Sequence, residues 1–178
     1  MATPCISAFI VNYNTRDLLE KCIESLFGSK GDISIEVFVA DNGSIDGSVE
    51  MLRTRFPEVF VKMYSKNVGY TQAINQLLPL AKGAYYLLLH PDIEMLPHAV
   101  KTFVGFFEAH PRAGVLGGNL YYPDGTPNPC EILPPGFKND VSRLAWRLFK
   151  RLPCGELLLK NYNPIEWSHK STARVHWV

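Results

Sequence analysis

The chain has 178 residues, of which 47% are apolar, 20% charged and 12% aromatic, with 13 glycines and 13 prolines. This composition is globular and excludes a low-complexity disordered chain; at roughly 150 residues per domain it predicts one domain, or one plus a short appendage. Lysine and arginine total 18 against 17 aspartates and glutamates, a net charge of +1, so nothing global favours nucleic acid and any polyanion site must be local.

Met1-Ala2-Thr3-Pro4 leads directly into an apolar run. It lacks the basic stretch and small-residue cleavage site of an export signal, so the expected location is cytoplasmic. The longest apolar runs, such as Ala84 to Leu89, fall far short of the ~20 residues of a membrane span. Cys5, Cys22, Cys130 and Cys154 are scattered, which suits reduced, buried thiols better than a zinc site or a redox pair.

Ile6 to Val11 is apolar, rich in branched residues and closed by Asn12-Tyr13-Asn14-Thr15, the pattern of a buried strand. Asn14 or Thr15 can cap the helix that follows, in which Leu18, Leu19, Cys22, Ile23 and Leu26 recur on one face,. Ile33 to Ala40 is the second strand, ended by Asp41-Asn42-Gly43-Ser44, whose Asn-Gly pair requires a turn with positive φ. Asp46 or Ser48 can cap the next helix, which turns Val49, Leu52 and Phe56 inward and stops at Pro57,. Val59 to Tyr64 is a third strand, Thr71 to Ala81 a helix, Ala84 to Leu89 a fourth strand and Pro97 to Ala109 a helix, with Ala113 to Gly117 expected as another strand. Tyr121 to Gly125 reads as a turn flanked by extended chain,. Thr126 to Gly136 is dense in proline and glycine and reads as a loop,. Asn139 to Lys160 returns to helical periodicity, with a basic amphipathic stretch from Arg143 to Arg151.

Strict alternation of strand and helix predicts an α/β fold, a mainly parallel sheet with helices on both faces, in which ligands bind beyond the carboxyl ends of the strands. Three polar clusters fall at such ends: Asn12 to Asn14, Asp41 to Ser44, and His90-Pro91-Asp92. No Walker loop and no G-x-G-x-x-G is present, which removes most of the case for the common ATP, GTP and NAD folds. An aspartate opening a turn, such as Asp41, usually serves its own backbone. Asp92 emerges at the end of an apolar strand, and a hard cation such as Mg2+ or Mn2+ needs only one or two protein carboxylates when substrate phosphates supply the rest. Asp92 as a turn cap weighs evenly against that. His90, His98 and His110 match no metal spacing, which favours structural or surface roles.

Ile10-Val11-Asn12-Tyr13-Asn14, Val39 to Ser48, Asn67-Val68-Gly69-Tyr70 and Leu88-Leu89-His90-Pro91-Asp92, in that order and spacing, resemble the family 2 glycosyltransferases, and within them the bacterial rhamnosyltransferase-type members. The resemblance implies a GT-A fold, with a nucleotide-sugar-binding domain over residues 1–125 and the start of an acceptor half over residues 126–178. It implies that Tyr13 stacks near the base with Val11 and Asn12 lining the same pocket. Asp41 would accept the imide N–H of uracil or thymine, Asn67 and Gly69 would pass close to the nucleotide, and Asp92 would hold Mg2+ or Mn2+ on the donor diphosphate. The implied reaction is inverting, metal-assisted transfer of a sugar, rhamnose being the best single guess, from a UDP- or dTDP-sugar to a bacterial surface-glycan acceptor. A lipid-linked acceptor would suit peripheral contact of the basic stretch with the inner face of the membrane.

The family's catalytic base lies beyond a tryptophan-containing strand that His176-Trp177-Val178 resembles. Glu131, Asp140, Glu156 and Glu166 sit in no matching motif. No catalytic base is therefore assigned, and the chain is expected to be a C-terminally truncated piece of a longer enzyme. Two alternatives stay open: a non-catalytic nucleotide-sugar-binding module, and a phosphoacceptor domain using Asp41 or Asp92. The second is weakened because Ala40 and Pro91 interrupt the acidic clusters such domains need.

Overall fold

The computed structural model describes residues 5–128. The chain divides into two compact units after Leu116.

In the first unit, β1 (Cys5–Asn12), β2 (Ser34–Asp41), β3 (Phe60–Met63) and β4 (Tyr85–Leu89) form one sheet in the order β3-β2-β1-β4. Every pairing is parallel. The central strands carry unbroken apolar runs because both of their faces are covered. Ile6, Ala8 and Ile10 point into one core with Leu19, Cys22, Ile23, Leu26, Leu52 and Val100, and Phe9 points into the other with Phe38, Ala73, Ile74 and Leu77. Helices α1 (Arg16–Ser29), α2 (Ser48–Arg55) and α4 (Ala99–Ala109) supply the first core, and α3 (Tyr70–Leu77) supplies the second.

Crossover handedness explains this division. The chain steps from β1 to β2 to β3 in one direction, then returns past both to place β4 on the far side of β1. Right-handed crossovers in opposite directions put their helices on opposite faces. The reversal also makes the carboxyl ends of β1 and β4 the topological switch point, where such sheets leave a crevice.

The expected strands and helices over residues 6–109 are all present, with ends moved by one to four residues. Four expectations fail locally. Leu18 is 44% exposed, and Leu19 carries the inward face instead. Thr15 occupies the position before α1 yet makes no side-chain cap; its hydroxyl donates to Asn12 Oδ1 at 2.7 Å. Ala113 to Gly117 is irregular chain: Gly114 and Gly117 within it and Gly118 just after it lower strand propensity, and apolarity alone does not supply a ladder partner. In place of a long Thr71 to Ala81 helix, α3 ends at Leu77 and tightens into a 3-10 turn over Leu78–Leu80.

In the second unit, β5 (Leu120–Tyr121) pairs antiparallel with β6 (Pro127–Asn128). The turn is closed by Gly125 N–H donating to Tyr122 O at 2.8 Å, with Gly125 at φ +82. This is the expected turn, but Pro127 and Asn128 are strand rather than loop. The basic helix expected over residues 139–160 lies outside the described residues. Among the described residues no helix is long and apolar enough to cross a membrane.

Candidate functional site

All three polar clusters meet the carboxyl edge of the sheet. Register places Asn12 beside Asp41 at the ends of the two central strands. Asn12 Nδ2 donates to Asp41 Oδ2 at 2.8 Å, with both residues buried. Asp41 Oδ1 accepts the backbone N–H groups of Gly43 at 3.2 Å and Ser44 at 2.8 Å. Asp41 thus serves its own turn, as an aspartate in that position ordinarily does, while Oδ2 keeps acceptor capacity beyond its single bond to Asn12. Asn42 is buried too, and its Oδ1 has no hydrogen-bond partner among the described residues.

A clasp joins the first two loops. Ser44 Oγ accepts the Asn14 backbone N–H at 2.9 Å and bonds Asn12 Nδ2 at 3.0 Å, and Asn14 Oδ1 accepts the Ile45 N–H at 2.9 Å. Asn14 adopts φ +54 to do so, a conformation asparagine tolerates better than most residues. Tyr13, held between these anchors, is 50% exposed. Asp46 extends the clasp by accepting Arg16 N–H at 2.8 Å and Ser48 N–H at 3.1 Å, so one carboxylate caps the starts of α1 and α2. Gly47 occupies the formal position before α2 at φ +82, and Asp46 does the capping, as one of the two sequence candidates.

The third loop packs against the second. Tyr64 N–H donates to Asp41 O at 2.8 Å. Gly43, at φ +84, comes so close that an added Cβ would lie 3.3 Å from Tyr64 O and 3.4 Å from Lys66 Cα. In this loop Asn67 Oδ1 accepts the Gly69 N–H at 2.8 Å, and Gly69 at φ +83 starts α3; both residues are exposed.

The fourth loop is a turn in which Ile93 N–H donates to His90 O at 3.1 Å. Pro91 is buried at the second turn position, which its fixed φ favours,. The turn is tied to α1: Cys22 Sγ donates to His90 O at 3.7 Å and Met95 N–H donates to Ser25 Oγ at 2.9 Å. Asp92 bonds the His90 ring, Nδ1 to Oδ1 at 2.6 Å. His90 matches no metal spacing, and its two-residue separation from Asp92 is the one signal of this pairing in the sequence.

Of the residues singled out in sequence, Asn12 and Asp41 are bonded, Val11 and Tyr13 adjoin them, and Asn67 and Gly69 occupy the neighbouring loop. Asp92 lies at the same edge beyond β4, on the other side of β1. Ser44 and Asn14, both in the polar clusters at the strand ends, carry the clasp, and their pairing is not legible in sequence because the bonds span about thirty residues. Among the described residues no group of three or more His, Cys, Asp and Glu side chains forms a metal cage. A single half-exposed carboxylate with one oxygen uncommitted does fit a hard cation whose remaining ligands come from a phosphorylated substrate.

The chain is similar to known proteins in sequence and in fold. The family model described as Glycosyl transferase family 2 matches residues 7–148. An N-acetylglucosaminyl-diphospho-decaprenol L-rhamnosyltransferase of Mycobacterium tuberculosis is 29% identical over 138 residues, which make up 71% of this chain and 45% of that protein. Among solved structures, S. aureus TarS 1-349 in complex with UDP-GlcNAc has a TM-score of 0.52 at 21% identity, covering 59% of this chain and 31% of that one. The mannosyltransferase PcManGT from Pyrobaculum calidifontis, in complex with GDP-Man and Mn2+, has a TM-score of 0.53 at 20% identity, covering 70% and 37%. The two structures establish a shared glycosyltransferase fold. The chain spans less than half the length of each of these relatives.

Proposed function

The chain belongs to glycosyl transferase family 2, and from that premise we propose that it binds a UDP- or dTDP-sugar at the carboxyl edge of the sheet and provides the donor half of an inverting transfer. The observation that carries this reading is the buried Asn12–Asp41 pair with Tyr13 exposed beside it, one strand away from Asp92 at the switch point.

Tyr13 offers a ring face on which a base stacks, in a pocket lined by Val11 and Asn12. The spare capacity of Asp41 Oδ2 suits the imide N–H of uracil or thymine, and the unpartnered Asn42 Oδ1 is a second acceptor at the same strand end. Asn67 and Gly69 would pass along the nucleotide, where a glycine permits close approach. Asp92 would hold Mg2+ or Mn2+ on the donor diphosphate. When bound, that ion would supply Lewis-acid stabilisation of the charge that builds on the leaving diphosphate. A Mn2+ complex among the structural neighbours supports this choice.

The mycobacterial relative, by its name a rhamnosyltransferase acting on a decaprenol-linked sugar, supports rhamnose as the sugar and a lipid-linked glycan as the acceptor. Such an acceptor would draw the chain to a membrane surface, where Arg143, Arg147, Lys150 and Arg151 would meet anionic lipid. Inversion requires a carboxylate to take the acceptor hydroxyl's proton. The acidic residues from Glu131 onward lie outside the described residues, and none is assigned that task. Residues 1–125 then form the donor domain, and residues 126–178 the start of the acceptor half.

Calorimetric titration of UDP, dTDP and GDP, each with and without Mn2+, tests the reading. Uridine or thymidine diphosphate should bind, Mn2+ should tighten binding, and D92A should remove that gain. Replacing Tyr13 with alanine should cost about 1–3 kcal/mol, the worth of one base stacked on an aromatic ring. No binding by any of the three at millimolar concentration would overturn the proposal.

A further inference from the structure

We propose that His90 is a positioning residue for the divalent cation, acting through Asp92; this rests on the reading of Asp92 as the residue that holds the ion. The two side chains are 63% and 53% exposed, so packing does not fix the carboxylate. The contact at 2.6 Å between His90 Nδ1 and Asp92 Oδ1 does. A carboxylate only accepts, so in this contact Nδ1 is the donor,. It is the sole side-chain partner of Asp92 among the described residues. The bond engages one lone pair of Oδ1 and leaves Oδ2 wholly open for ligation, which presents a surface carboxylate in one orientation,.

The backbone of the turn that carries His90 is itself held from below. His90 O accepts from Ile93 N–H and from Cys22 Sγ, Pro91 is buried, and Met95 N–H bonds Ser25 Oγ on α1. Backbone position therefore passes from α1 through the turn to the imidazole and on to the carboxylate. Groups that orient a metal ligand in this way commonly contribute 10–100-fold to metal affinity.

The test titrates Mn2+ into the full chain in the presence of UDP, followed by calorimetry and by the electron paramagnetic resonance of free Mn2+. It compares the parent with H90A, H90N and D92A. H90A should raise the half-saturating Mn2+ concentration about tenfold or more, leaving metal-free UDP affinity as it was. H90N keeps an N–H donor near the Nδ1 position and should restore most of the loss. An H90A chain with parental Mn2+ affinity, while D92A loses the metal effect, would overturn the inference and spare the donor site. A D92A chain with an undiminished metal effect would overturn the reading of Asp92 together with it. An H90N chain as weak as H90A at an equal thermal midpoint, or equal losses with and without metal, would also overturn it. Should H90A fail to fold, H90Q, whose longer side chain displaces the donor, replaces it in the comparison.

Discussion

Asn12 and Asp41 end adjacent parallel strands in register and bond each other side chain to side chain at 2.8 Å, inside the protein and at the rim of the candidate site. The bond joins stability to binding, because the same carboxylate oxygen is the one with acceptor capacity to spare. Asn12→Ala removes a donor from a buried carboxylate, a loss of about 2 kcal/mol. Asn12→Asp sets two carboxylates against each other and should cost more. Urea denaturation at pH 7 ranks the two, and the expected order is parent, alanine, aspartate. An aspartate variant as stable as the parent would show that the pair is not held as described.

Gly43 sits where the second and third loops touch. Its φ of +84 and the 3.3 Å separation of a notional Cβ from Tyr64 O oppose any side chain, first through backbone strain and then through contact with an unyielding carbonyl. G43A should lose about 1–2 kcal/mol from the left-handed conformation alone, with the contact adding to it. Gly47 provides the control. Its φ is +82, and an added Cβ would meet only Arg16 Cδ at an ordinary 3.8 Å, so G47A should be destabilised by backbone strain alone. Thermal unfolding of both variants, with G43A melting lower than G47A, checks this.

The alternation of elements was legible because each strand of the sheet is a short apolar run closed by a polar turn, and each helix carries its apolar residues three or four apart. Asp41 was legible for the same local reason, since an aspartate followed by Asn-Gly closes its own turn. Ala113 to Gly117 misled because an apolar run states a preference for burial, whereas a strand also needs a neighbour in register. The clasp of Ser44 with Asn14 depends on how the strand ends are brought together, and no local pattern announces it. His90 was discounted because metal motifs were sought, and its partner is a single carboxylate two residues away.

At the opposite edge of the sheet Glu36 forms a second polar anchor. Its Oε1 accepts the Ser7 hydroxyl at 2.5 Å and the backbone N–H groups of Lys82 at 2.6 Å and Gly83 at 3.1 Å. Burial pushes this carboxyl up, but the Ser7, Lys82 and Gly83 hydrogen bonds and the Lys82 charge together hold it below its ordinary 4.5. A carboxyl with a lower pKa folded than unfolded adds stability that is present above the unfolded value and is lost as pH falls through the folded one. Urea midpoints should therefore drop between about pH 5 and pH 3. E36Q, which lacks the titrating group, should show a shallower drop, and an unchanged pH profile in E36Q would rule out this contribution.

Cys22 lies within the main core on α1, and burial, reinforced by the negative charges of Asp92 and Glu94, pushes its thiol up to about 12. The nucleophile in alkylation is the thiolate, so at pH 8 almost none is present while the chain is folded. Burial blocks the reagent as well. Iodoacetamide should modify Cys22 in the native chain at a rate set by opening of the structure rather than by the reagent's chemistry. Peptide-level mass spectrometry isolates this site from the other three cysteines. Labelling should accelerate sharply through the urea transition and, below it, should reach a ceiling rate as the reagent concentration is raised. Rapid, stoichiometric native labelling of Cys22 would mean that α1 separates readily from the His90 turn, and the support it lends that turn would fail with it.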